Sequence, residues 1–168
     1  MSVTTKDHLR HEALVGGISN TFFNGIIAWL LLRSGPALQW GGEHSFVVDI
    51  IATALLLPLI VALIVIPLQR SKVKKGKLHT MSLQSSSAIQ RFANRFPYST
   101  GKSAPLFGLA GMLVIAPLTL LGFYLLGISA VTPLHYAIFK GLWAGGMAAV
   151  MVLPMVLVAL RDPGTGQV

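Results

Sequence analysis

Four apolar stretches, Ala13 to Leu32, Phe46 to Leu68, Pro105 to Ile128 and Tyr136 to Leu160, take up most of this 168-residue chain. A helix rises about 1.5 Å per residue and bilayer hydrocarbon is about 30 Å thick, so roughly 20 apolar residues make one crossing. All four stretches meet that length. The solvent they imply is lipid, and lipid admits only helices or closed barrels, because every backbone polar group must be paired internally. The fold class expected is therefore an all-α integral membrane protein: an antiparallel four-helix transmembrane bundle built as two hairpins, forming a single membrane domain.

Composition points the same way. Charged residues make up only 11% of the chain and mean hydropathy is +0.72, whereas a soluble domain carries about 25% charged residues to cover its surface. Cysteine is absent, which excludes disulfides, thiol nucleophiles and thiolate metal sites.

The net charge of +8 raises the question of nucleic acid, and its placement answers it. Eight of the thirteen Lys and Arg residues fall between Arg70 and Lys102, in the one long polar segment. Lys6 and Arg10 precede the first span and Arg161 follows the last, while Arg33 and Lys140 alone lie toward the other side. The positive-inside rule then places the N-terminus, the C-terminus and the basic loop 69–104 in the cytoplasm. Membrane lipids with anionic headgroups account for the basic charge, and no nucleic-acid partner is expected. The first apolar run is too long for a signal-peptide core and carries Asn20 and Asn24, so it reads as a retained span.

Connections and kinks follow from the turn formers and prolines. Gly35, Pro36, Gly41 and Gly42 mark the first connection, where Trp40 suits a headgroup boundary. Pro58, Pro117 and Pro154 each remove a ladder hydrogen bond and are expected to bend their helices. In the basic loop, Ser85, Ser86 and Ser87 offer N-caps and Pro97 a stop. Between them Ile89, Phe92, Ala93 and Phe96 recur at helical spacing, opposite Gln90, Arg91, Asn94 and Arg95. That pattern describes a short amphipathic helix on the cytoplasmic membrane surface, with Phe92 and Phe96 in lipid and Arg91 and Arg95 at headgroup level. Spans two and four also align without gaps at an offset of 91, which pairs His44 with His135, Asp49 with Lys140 and Arg70 with Arg161, a faint sign of duplicated hairpins.

Ionisable groups inside a span are costly, and there are two, Asp49 and Lys140. They lie at similar depth, so they either neutralise each other across two helices or reach the nearby interface separately, Lys140 by snorkelling. Span one places Gly17, Asn20, Thr21, Asn24 and Ala28 on one face and Ile18, Phe22, Ile26 and Trp29 on the other. Asp49 and Thr53 share a face of span two. Together Asp49, Lys140, Asn20, Asn24 and Thr53 form a candidate intramembrane polar cluster, either interhelical glue or the lining of a hydrated path. Gly141 and Gly145, extended by Ala148, form a close-packing stripe for the first or third span or for a second copy.

Catalytic motifs are missing: there is no phosphate-binding glycine loop, no GxSxG and no HExxH. Glu43, His44, Asp49 and His135 are residue types that bind zinc or iron, but Lys140 opposes a cation there, so no metal and no cofactor is expected. His8, His11 and Glu12 fall to the headgroup interface. The chain is more readily a transport or permeation protein acting as an oligomer, or an accessory subunit of a larger membrane complex, than an enzyme. An enzyme acting on lipids through His44 and His135 is the third reading. Its partners are expected to be lipids and either copies of itself or another membrane protein.

Overall fold

A computed structural model describes residues 3–78 and 88–161. Six α-helices account for almost all of them: α1 (Val3–Leu32), α2 (Phe46–Lys74), α3 (Ala88–Asn94), α4 (Thr100–Ala110), α5 (Ala116–Leu125) and α6 (Pro133–Leu160). A π-helical turn, Gly111–Ile115, joins α4 to α5 without a break, so the two form one long third helix. Four segments are long and apolar enough to cross a bilayer, Asp7–Leu32, Phe46–Lys74, Thr100–Leu125 and Pro133–Leu160. They support a multi-pass membrane protein, with helices that begin and end somewhat differently from the apolar runs.

The helix ends have local causes. The third helix stops at Leu125, short of Ile128, because Gly127 takes a φ of +66°. Its amide bonds the Tyr124 carbonyl while the Ile128 amide reaches back to Phe123, the paired bonds of a glycine C-cap. Ser45 and Thr132 cap α2 and α6 at their starts. α2 runs through Pro58 and Pro67 and α6 through Pro154 as continuous helix, and the π turn lies directly before Pro117. The π turn also lies close against α2. A Cβ on Gly111 would collide with the Ala54 carbonyl oxygen, the acceptor that Pro58 deprives of its in-helix donor. Glycine lets the third helix cover that orphan carbonyl with its own backbone.

Packing order departs from the expected two hairpins. α1 lies antiparallel along α6, α6 lies parallel to α2, and α2 packs antiparallel on the third helix. Consecutive spans α1 and α2 are not close backbone neighbours, nor are α5 and α6. Two features bind the connections instead. The short strands β1 (Leu38–Gln39) and β2 (Ala130–Val131) pair antiparallel, and the Trp40 indole donates to the Ile128 carbonyl at 2.7 Å. Trp40 thus ties the two loops at this strand end of the molecule. Neither strand carries enough residues to be legible from alternation.

The interior is apolar along its length. At the strand end Phe46, Ile50, Phe123 and Tyr136 are buried together, and Phe46 meets Trp40 and Phe123 edge-on with centroids 5.1 and 5.2 Å apart. Such ring pairs contribute about 0.5–1.5 kcal/mol each beyond area burial. At the opposite, basic end Ile66, Phe107, Met155 and Val158 fill the space between α2, α4 and α6, and Leu9 joins Val152, Val156 and Leu160 beside α1. Half of the most apolar window of α6 is buried but only 6% of that of α1. α6 is the central post and α1 a flanking helix whose Ile18, Phe22, Ile26 and Trp29 face outward.

α3 is a single short element docked on the basic end. Ala93 is buried there and Phe96 stacks on Phe107 at 4.7 Å. Phe92, Arg91 and Arg95 are exposed. The expected amphipathic division is thus only partly realised: Ala93 and Phe96 pack on protein, and Phe92 alone of the described apolar positions faces out. The helix ends at Asn94, three residues before Pro97. Ser85, Ser86 and Ser87, expected as its caps, lie outside the described residues.

Candidate functional site

Because α2 and α6 run parallel and side by side, residues at equal depth meet. Asp49, one turn into α2, receives both Lys140 bonds, at 2.6 and 2.7 Å to its two oxygens. Tyr136, one turn before Lys140 on α6, donates its hydroxyl to Asp49 Oδ2 at 2.5 Å. The carboxylate is therefore held by a cation and a phenol, both from one helix face. Charge-assisted bonds of this kind are roughly twice as strong as neutral ones.

Accessibility is uneven within the pair. The Lys140 side chain is 13% exposed and that of Asp49 36%, while Tyr136 is fully buried. The exposed side of Asp49 opens on a cavity of about 190 Å³ at the strand end, lined by Ala28 and Leu32 of α1, Glu43, His44, Asp49 and Lys140. The site is thus an ion-paired carboxylate lining an opening that Glu43 and His44 also line. In that arrangement a small cation at the opening would meet the Asp49 carboxylate in competition with Lys140.

The other candidates from the sequence are placed differently. Asn20 donates to the Gly16 carbonyl and Asn24 to the Asn20 carbonyl, so both turn back on α1. Thr53 is half-buried one turn along from Asp49. No hydrogen bond among the described residues joins Asn20, Asn24 or Thr53 to the Asp49 pair. The five polar residues do not form one network. His44 stands at the cavity rim, whereas His135 bonds its Nδ1 to the Thr132 hydroxyl at 2.7 Å. Among the described residues no three His, Asp or Glu side chains lie close enough together to hold a metal ion.

The small-residue stripe has its partner inside the chain. A Cβ on Gly141 would lie 2.8 Å from the Thr21 carbonyl, and one on Gly145 would overlap the Thr21 side chain and lie 2.7 Å from the Gly17 carbonyl. Gly17, Thr21 and Gly25 of α1 answer Gly145 and Gly141 of α6 at matching four-residue steps, and Ala148 is buried a turn further on. Close backbone approach is how such stripes hold helices together in lipid, where there is no hydrophobic drive between them.

Two groups at the basic end went unrecognised as sites from the sequence. The first joins α1 to α2: His8 Nε2 pairs with Gln69 Oε1 at 2.9 Å, and Glu12 accepts from Lys72 at 2.7 Å. His8 and Glu12, expected at a headgroup interface, therefore bond to α2. The second gathers Arg70, Tyr98, Thr100 and Arg161. Arg161 donates through Nη1 to the Ala93 and Phe96 carbonyls, at 2.7 and 2.6 Å, and so caps the C-terminus of α3 with a cation. Burial pulls the Arg161 pKa below the ordinary arginine value, and Tyr98 opposes the shift. The alignment of Arg70 with Arg161 was the one signal available. A shared offset becomes a shared location only if α2 and α6 are parallel neighbours.

Comparison with protein-family models, with curated proteins and with solved structures finds no match to this chain.

Proposed function

We propose that this chain is a small transport or permeation protein, working as an oligomer, whose exchange group is Asp49. The observation that supports it most is the carboxylate itself: held by Lys140 and Tyr136, yet open on one side to a cavity with Glu43 and His44 at its rim. An intramembrane carboxylate is expensive to keep and is commonly used where a proton or cation must be taken up and released. Lys140 supplies the alternative partner, so the carboxylate stays neutralised when the exchanged cation leaves.

In this reading the basic end faces the cytoplasm, with eleven Lys and Arg residues against two, and the cavity opens outside. α3 then lies at the inner leaflet, with Arg91 and Arg95 at headgroup depth. Packed apolar side chains, among them Ala54, Ile66, Val152 and Val156, fill the centre of the chain. Any path for a polar solute therefore runs along the junction with neighbouring subunits. Asp49→Asn, assayed as proton and monovalent-cation flux in proteoliposomes, is expected to drop to the protein-free background while the variant still elutes as a folded protein, with a lowered melting temperature because Lys140 loses its counter-charge. Flux equal to the wild type would end this reading.

The same packed centre favours one alternative, an accessory subunit whose partners are different proteins. Native mass spectrometry of the protein taken from its own membrane separates the two. A homo-oligomer is expected for transport, and a defined assembly with another chain for the alternative.

A further inference from the structure

Arg70 and Arg161 form an electrostatic arrangement that the described residues leave incomplete. Both guanidinium groups lie over the ring of Tyr98, at 4.1 and 5.5 Å from its centroid. Cation–π contact eases their burial but does not cancel two like charges. No salt bridge to a described carboxylate reaches either: Glu12 goes to Lys72 and Asp49 to Lys140. Arg161 spends Nη1 on the carbonyls of α3, and Arg70 spends Nη1 on the Thr100 hydroxyl at 3.2 Å.

The remaining edge of Arg70 is what points to a ligand. Its Nε and Nη2 are buried and have no acceptor. Those two nitrogens are the parallel donors of the guanidinium fork, whose spacing matches two oxygens of a carboxylate or phosphate. A buried donor without an acceptor costs about 1–3 kcal/mol, more when charged, and here two sit side by side. Thr100, which takes the Nη1 bond, also opens α4 (Thr100–Ala110), so the positive end of that helix dipole lies beside the same guanidinium.

We infer that Arg70, with Arg161 and the first turn of α4, is a binding site for a phosphate-type oxyanion at the basic end. The anion is gripped in bidentate fashion by Nε and Nη2 of Arg70. Both nitrogens are shielded from a water-sized probe, and the Tyr98 ring stacks on the same guanidinium, so binding requires side-chain rearrangement around Arg70. The site stands independently of the Asp49 reading, since it lies at the other end of α2. An oxyanion of this chemistry is supplied either by the headgroup of an anionic phospholipid or by free phosphate.

The test uses the full chain in mild detergent and native mass spectrometry with phosphatidylglycerol, phosphatidylcholine and inorganic pyrophosphate as probes. The wild type is expected to retain one phosphatidylglycerol per chain at least tenfold better than phosphatidylcholine. Arg70→Lys, which keeps the charge but loses the fork, is expected to lose most of that preference, while Lys75→Gln, which removes an exposed charge nearby, leaves it intact. Displacement of the lipid by pyrophosphate assigns the site to free phosphate, and resistance to displacement assigns it to the lipid. A rise in the wild-type melting temperature with phosphatidylglycerol but not phosphatidylcholine checks the inference without any variant. Equal retention by Arg70→Lys and Lys75→Gln, or no preference and no melting shift in the wild type, would overturn it.

Discussion

The two ends of the α2–α6 contact hold the same register and opposite electrostatics. Asp49 meets Lys140 at the strand end, and 21 residues further along both helices Arg70 meets Arg161 at the basic end. The first pair is closed: each charge has its counter-charge, and Tyr136 completes the carboxylate. The second is open: two cations share one aromatic ring, and one guanidinium edge faces no acceptor. Parallel packing of two helices brings equal depths together. Which residues occupy those depths then decides whether the contact is a clamp or a socket.

The largest effect is expected where the closed pair is broken on one side. Lys140→Met leaves the Asp49 carboxylate with only Tyr136. Removing one partner of a fully buried ion pair costs roughly 3–5 kcal/mol. Asp49 is a third exposed, so a loss of about 2 kcal/mol fits this site better. The double variant Asp49→Leu with Lys140→Met is expected to recover most of it, because no uncompensated charge remains. Thermal melting of the four proteins of this cycle in one detergent checks the coupling. Additive losses would mean that the pair does not hold α2 to α6.

At the basic end the corresponding break is local. Arg161→Met removes two charge-assisted bonds to the last carbonyls of α3, each worth about 1.5 kcal/mol in this setting. The expected result is release of the docked helix, not loss of the fold, since Met155, Val158 and Ile66 stay packed beneath it. Hydrogen exchange resolved by peptide would show it as faster exchange confined to residues 91–99. Protection equal to the wild type there would mean that Ala93 and Phe96 hold α3 by packing alone.

What the sequence made legible follows the same division. The spans were readable because length and apolarity are properties of single segments, and the depth of Asp49 and Lys140 was readable from position along each. Which helices touch is a relation between segments. Apolar faces in lipid do not announce their partners, so the connection order suggested hairpins where the packing sets α1 along α6. The Gly141 and Gly145 stripe held the information, but of its complement only Gly17 and Thr21 were placed, on the face of span one shared with Asn20 and Asn24, and Gly25 was passed over. Asn20 and Asn24 misled for a physical reason: an amide in a membrane helix can satisfy itself on the carbonyl one turn back. The open arginine edge left no trace in composition, because an unsatisfied donor is defined by what fails to reach it.

The smallest effect, and the sharpest contrast with Lys140→Met, is expected from Arg70→Met in lipid-free detergent. The substitution gives up the bond to Thr100, about 1 kcal/mol, and the cation–π contact with Tyr98. It also removes the repulsion of Arg161 and the two donors without acceptors, which offset those losses. The net change in stability is expected to lie within about 0.5 kcal/mol of zero, because these gains and losses nearly cancel. When phosphatidylglycerol is added, the wild type should gain stability and the variant should not, so that the difference between them grows with lipid concentration. A loss near 2 kcal/mol in the absence of lipid would make Arg70 a structural partner like Lys140. The two ends of the α2–α6 contact would then be clamps of the same kind.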